Sequence, residues 1–148
     1  MAVWKRKPQN VIQQTLISSA DSCFSPISTT VSVDTVDELL QKRLPDGPAK
    51  VLIVEDATYL VDLFTCLFDL PRVGLRLTHI DRAMCPRFHV DSVPCRLVTT
   101  YAGSATQWLP NEIVNRQKLG RSNNGHPDHA SGLFQLPSDV KQLCGFIW

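Results

Sequence analysis

A histidine and an aspartate stand two residues apart in the run CPRFHVD at positions 85–91. In a β-strand, residues two apart point to the same face, so His89 and Asp91 are expected to converge on one point. An imidazole and a carboxylate are two of the three ligands in the facial triad that holds non-haem iron(II). The spacing therefore predicts a divalent metal site at His89 and Asp91.

Other interpretations of this run stay open. A His-x-Asp tripeptide is also typical of a surface ion pair or of a hydrogen-bonded strand end. Cys85 would add a soft sulfur ligand and favour zinc over iron(II). A replacement third ligand could come from His79 or from His126 and His129, although loop histidines are more often simply solvated.

Two further residues are candidates for substrate binding. Arg96 could pair its planar guanidinium with a substrate carboxylate, although an arginine at a strand start is more often an exposed ion-pair partner. Trp108 could provide a platform for a ligand, but its ring is also a natural packing anchor beside Leu109 and Pro110. Motifs for a serine hydrolase, a phosphate-binding loop or a dinucleotide fold are missing from the sequence.

The elements that must position these residues are read from the hydrophobic pattern. Residues 27–33 alternate as a strand, and Asp34 or Thr35 could cap a short helix that ends at the Pro-Asp-Gly-Pro run of positions 45–48. A short buried run at 50–54 precedes a helix over 57–70, which Pro71 ends. From Val73 the period changes to two. The second half is predicted to be mostly strand, in three stretches: 96–101, 133–136 and 140–147. The polar composition of residues 115–129 predicts a surface loop.

This order predicts an α+β fold in which N-terminal helices pack on an antiparallel β-sandwich or a jelly-roll-like, cupin-like sheet. The 148 residues suit one domain, predicted over 34–148, after a poorly defined segment over 1–33. The net charge of +1 argues against nucleic acid or an anionic membrane as partner and leaves a small molecule. Five scattered cysteines suggest reduced thiols and a cytoplasmic location, and the oligomeric state stays open.

The residues from Cys85 to Pro110 carry a resemblance, through CPRFHVD, RLVTTY and a closing Gly-x-x-Thr-x-Trp-Leu-Pro. This stretch resembles the bacterial family known as domain of unknown function eighteen twenty-six, and a weaker likeness runs from Ala57 to Val140. The order of motifs is also similar to the jelly-roll core of iron(II) and 2-oxoglutarate dioxygenases. That second likeness implies iron(II) and 2-oxoglutarate as cofactors.

The chain departs from the resembled family at its end. There the strand corresponding to Asp139–Cys144 continues toward a segment with glycine and a His-Arg pair, whereas this chain stops at Trp148. The resemblance therefore implies that the distal histidine of a triad is missing. Three hypotheses follow: an oxygenase-like metal protein, a non-catalytic zinc-binding or metal-handling protein, and an inactive, truncated family member.

Overall fold

A computed structural model describes the chain in 12 segments: residues 3–4, 12, 14, 16, 24–80, 87–90, 92–103, 106–120, 128, 133, 141–143 and 146–147. Its Cα positions group into two units, Pro8–Asp81 and the combination of Met1–Lys7 with Arg82–Trp148. The predicted single domain over 34–148 stays a prediction.

The Pro8–Asp81 unit is built from two strands with a pair of helices between them. Strand β2 (Ile27–Val31) is followed by helices α1 (Val33–Arg43) and α2 (Pro48–Phe68) and then by β3 (Val73–Leu77). The strands pair antiparallel with Ile27 opposite Leu77. Val31 and Ile27 are each only 1% exposed, so both ends of β2 face the core. The strands predicted at 27–33 and from Val73 are confirmed over 27–31 and 73–77.

The N-cap of helix α1 lies two to three residues before the predicted one. Its N-cap is Ser32, whose N–H donates to the Thr35 hydroxyl at 3.0 Å. Thr35 therefore occupies the third helical position, where its side chain satisfies an amide at the helix start. The predicted end is confirmed, because the helix stops at Arg43 before the Pro-Asp-Gly-Pro run.

Helix α2 is longer than predicted. It starts at Pro48, which suits the first helical position because proline lacks the N–H that would be unpaired there. The apolar run at 50–54 forms the first turns of this helix, so it is not a separate element. Lys50 also donates to Asp46 at 2.8 Å, and its ammonium lowers the pKa of that exposed carboxyl.

The core of this unit lies between the two helices. Apolar side chains from both are almost fully buried: Val36, Leu40, Leu44, Ala49, Ile53, Val54, Ala57, Leu60 and Val61. The helical spacing of Leu60, Phe64, Leu67 and Phe68 predicts one apolar face, but Leu67 is 57% and Phe68 39% exposed. Phe68 packs instead on the ring of Phe64, with centroids 4.7 Å apart.

Asp69 ends helix α2 in the left-handed conformation, with φ at 50°. In this conformation the Cβ atom lies close to the following carbonyl oxygen, which costs about 1–2 kcal/mol for most residues. Glycine has no Cβ atom and avoids this cost. We therefore expect Asp69→Gly to raise the free energy of unfolding by up to about 1 kcal/mol in urea denaturation. Asp69→Ala is the control and should lower it. A loss of stability in the glycine variant would contradict this account.

The second unit contains the remaining described strands. They are β1 (Val3–Trp4), β4 (Thr106–Trp108), β5 (Lys141–Leu143) and β6 (Phe146–Ile147), with a short 3-10 helix at Arg116–Lys118. Strand β1 pairs antiparallel with β6, and β4 with β5. The two C-terminal strands lie within the predicted stretch 140–147.

The predicted strand over 96–101 does not form, and only Val98 makes an isolated bridge. Its β-forming composition is insufficient because a strand also needs a partner ladder along its length. Of the stretch 133–136, Leu133 is a buried bend, and the rest lies outside the described residues.

The fold is α+β, as predicted. A jelly roll packs two sheets of several strands, and the strands that the structure describes form only two-stranded antiparallel sheets. Among these same residues, no helix is both long enough and apolar enough to cross a membrane.

Candidate functional site

His89, the first of the predicted metal ligands, lies on the short described segment 87–90. Arg87 and Phe88 are half-buried, whereas His89 and Val90 are exposed. The His89 ring turns back on its own chain, with Nδ1 2.8 Å from the carbonyl oxygen of Arg87. Since a carbonyl oxygen can only accept, Nδ1 carries the proton, and the lone pair of the neutral ring lies on Nε2.

The backbone of Phe88 is held on both sides by distant residues. Its N–H donates to the carboxylate Oδ2 of Asp128 at 2.6 Å, across 40 residues of sequence. Its carbonyl oxygen accepts the N–H of Gly120 at 2.9 Å. The segment that carries His89 is therefore fixed at the two peptide groups that precede the histidine.

Gly120 lies close to the histidine itself. A Cβ atom added to Gly120 would lie 3.9 Å from the Cβ of His89, which is ordinary van der Waals contact. Backbone conformation, rather than crowding by a neighbour, favours glycine at position 120. Its φ of +60° is a left-handed conformation that other residues adopt only at an energetic cost.

A backbone hydrogen bond closes the loop that provides Gly120 and Asp128. The N–H of Asn115 donates to the carbonyl oxygen of Leu133 at 2.9 Å, and Leu133 is fully buried. The side chain of Asn115 also accepts the N–H of Gln117 at 3.2 Å, which starts the 3-10 helix. The loop predicted over 115–129 is thus tied at its base and linked to Phe88.

Most of the other predicted ligands fall outside the part of the chain that the structure describes. Cys85 and Asp91 lie outside the described residues, as do His126 and His129. His79 belongs to the Pro8–Asp81 unit, where it is exposed after β3. Across the part of the chain that the structure describes, no group of three or more His, Cys, Asp or Glu side chains could hold a metal ion.

The two predicted substrate-binding residues have different surroundings. Arg96 is exposed. Trp108 is half-buried at the end of β4, and its indole Nε1 is buried without a hydrogen-bond partner among the described residues. A buried donor left unpaired costs about 1–3 kcal/mol.

Sequence reasoning missed Asp128, Gly120 and Leu133. Asp128 stands between Pro127 and His129, and the polar composition around it indicated only a surface loop. Its contact with Phe88 joins residues far apart in the chain, and no local pattern reports such a pairing. The available signal of a fixed loop was Gly120, six residues before the run His-Pro-Asp-His at positions 126–129.

The comparison with known families gives one result. The chain matches, over residues 1–147, the family described as Protein of unknown function (DUF1826). The chain belongs to the DUF1826 family. This confirms the resemblance drawn from Cys85 to Pro110 and extends it to both units of the DUF1826 chain. No curated protein and no solved structure matches this DUF1826 chain. The likeness to dioxygenases stays a prediction.

The arrangement provides an exposed imidazole of defined orientation. Its Nε2 lone pair can accept a proton or bind a metal, and its Nδ1–H is held by a backbone carbonyl. Histidines that bind metals commonly donate their other ring N–H to such a carbonyl, which fixes the tautomer.

Proposed function

We propose that this protein binds a divalent metal through Nε2 of His89 and the carboxylate of Asp91. The observation that carries the proposal is the 2.8 Å contact between Nδ1 of His89 and the Arg87 carbonyl. That contact leaves the nitrogen that faces away from the backbone as the basic one, and it holds the ring in one orientation. A histidine placed by chance at the surface needs no such support.

Iron(II) is the metal that we propose. His89 and Asp91 supply nitrogen and oxygen donors, the ligand types of the non-haem iron(II) triad, in which open positions remain for small molecules. When bound, iron(II) would supply oxygen chemistry. Asp91 is placed in this set by its spacing from His89 alone. Adding Cys85 would instead favour zinc in a non-catalytic role.

The substrate side of the proposal involves Arg96 and Trp108. We assign Arg96, which is exposed, to a carboxylate such as that of 2-oxoglutarate, because its guanidinium can bind both oxygens. We assign the Nε1–H of Trp108, which has no partner among the residues that the structure describes, to a ligand acceptor. A jelly-roll arrangement of the second unit and a cytoplasmic location complete the proposal. Cys66 and Cys95 are free thiols, as a reducing compartment favours.

Elemental analysis of protein prepared without a metal-affinity tag tests this function. After reconstitution with iron(II) or zinc, the wild type should hold about one metal ion per chain. His89→Ala and Asp91→Ala should each weaken binding by more than about 100-fold. The matched control is His79→Ala, which removes an exposed histidine from the other unit and should bind like the wild type.

The outcomes separate the hypotheses. No metal in the reconstituted wild type, or an unchanged content in His89→Ala, would overturn the site. Zinc bound in preference to iron(II), and lost in Cys85→Ser, would overturn the oxygenase part and support the zinc alternative.

A further inference from the structure

We infer that Asp128 is a positioning residue for His89 and that it acts through the peptide group between Arg87 and Phe88. The carbonyl of Arg87 and the N–H of Phe88 belong to that same peptide unit. The Asp128 carboxylate accepts its N–H at 2.6 Å, and its carbonyl oxygen accepts the Nδ1–H of His89 at 2.8 Å. One peptide thus connects a carboxylate to an imidazole.

The first consequence is geometric. A hydrogen bond to a carboxylate is stronger than one between neutral groups, and Phe88 and Asp128 are both half-buried, where solvent competes less. Because the peptide is planar, fixing its N–H also fixes the direction of its carbonyl. Gly120 restrains the next peptide through the Phe88 carbonyl at 2.9 Å. The acceptor for the His89 ring is therefore held in place from the loop.

The second consequence is electronic. Hydrogen bonds in series polarise one another, so a negative charge on the N–H side makes the Arg87 carbonyl a better acceptor. A stronger acceptor favours the Nδ1–H tautomer of His89 and makes Nε2 a better donor of its lone pair. In many metal-binding histidines, a carboxylate in direct contact fixes the tautomer and makes the other ring nitrogen a better ligand. Asp128 has the same effect on His89, but it acts through a peptide group.

The decisive experiment measures the tautomer of His89 in the full chain. Carbon and nitrogen NMR shifts of the ring, recorded where the imidazole is neutral, report which nitrogen carries the proton. The wild type should show mainly Nδ1–H, and Asp128→Ala should lose most of that preference. Asp128→Asn keeps an oxygen that can accept the Phe88 N–H but removes the charge, so it should lie between the two. Glu112→Gln, an exposed carboxylate in the same unit, is the control.

Metal affinity is the second readout, and only this part rests on the proposed function. Titration with zinc alone should show binding about 10–100-fold weaker in Asp128→Ala than in the wild type. If the wild type binds no zinc or iron(II), the proposed function fails, and the tautomer measurement still decides the role of Asp128. An unchanged His89 tautomer in Asp128→Ala overturns this inference. If that variant does not fold, an Asp128→Asn tautomer identical to the wild type overturns the electronic role.

Discussion

Replacing Leu40 by alanine should lower the free energy of unfolding by about 3 kcal/mol. Leu40 is fully buried on α1, between two helices whose apolar faces form the core of the Pro8–Asp81 unit. The substitution removes three carbon atoms from a packed site and leaves a cavity that the helices can only partly close. Small proteins are stable by only about 5–15 kcal/mol, so this loss is large.

Urea denaturation of the full chain measures the effect, with thermal melting as a second probe. The matched control is Leu67→Ala on α2, which makes the same chemical change where the side chain is 57% exposed. We expect the control to change stability by less than about 0.5 kcal/mol. Equal losses in the two variants would show that α1 does not pack as the structure has it.

Leu133→Ala should have an effect of similar size in the second unit, about 3 kcal/mol, because Leu133 is also fully buried. Here the consequence reaches the candidate site. The carbonyl oxygen of Leu133 accepts the N–H of Asn115 and so closes the loop that carries Gly120 and Asp128. A loosened base should let the loop open more often, because local opening depends on nearby packing.

Hydrogen exchange detects that opening. In Leu133→Ala, the amide protons of Gly120 and Phe88 should exchange roughly 10-fold faster or more than in the wild type, since both are held in hydrogen bonds that cross the loop. Ile113→Ala is the control, because this residue is near the loop but 37% exposed. If exchange at both amides is unchanged in Leu133→Ala, the loop is held independently of Leu133.

The loop from Asn115 to Leu133 has a proposed role in positioning His89 that its composition did not indicate. Its polar residues are typical of a solvated surface, yet it is tied at its base and bonded to the segment before His89. If His89 binds a metal, substitutions in this loop should change affinity without removing a ligand. Variants of Asp128 and Leu133 therefore both test whether this loop holds the segment before His89: Asp128 makes the contact with Phe88, and Leu133 closes the base of the loop.

Local patterns predicted most elements of the Pro8–Asp81 unit. Apolar residues at helical spacing predicted α1 and most of α2, and β-branched residues predicted β2 and β3, because these signals come from neighbours in the chain. Boundaries were less accurate. Ser32, rather than Asp34 or Thr35, caps α1. Several adjacent polar side chains could bind the first amides of the helix, and the final backbone geometry decides which of them does so.

The sequence alone determined that the chain is α+β and that it belongs to its family, and it predicted His89 as a candidate metal ligand. Only the tertiary structure decided what holds that histidine. The bonds from Asp128 and Gly120 to Phe88, and the closure of the loop at Leu133, join residues far apart in the chain. Such contacts depend on which surfaces meet when the chain packs. The hydrophobic period and the local propensity of a segment do not predict these long-range contacts.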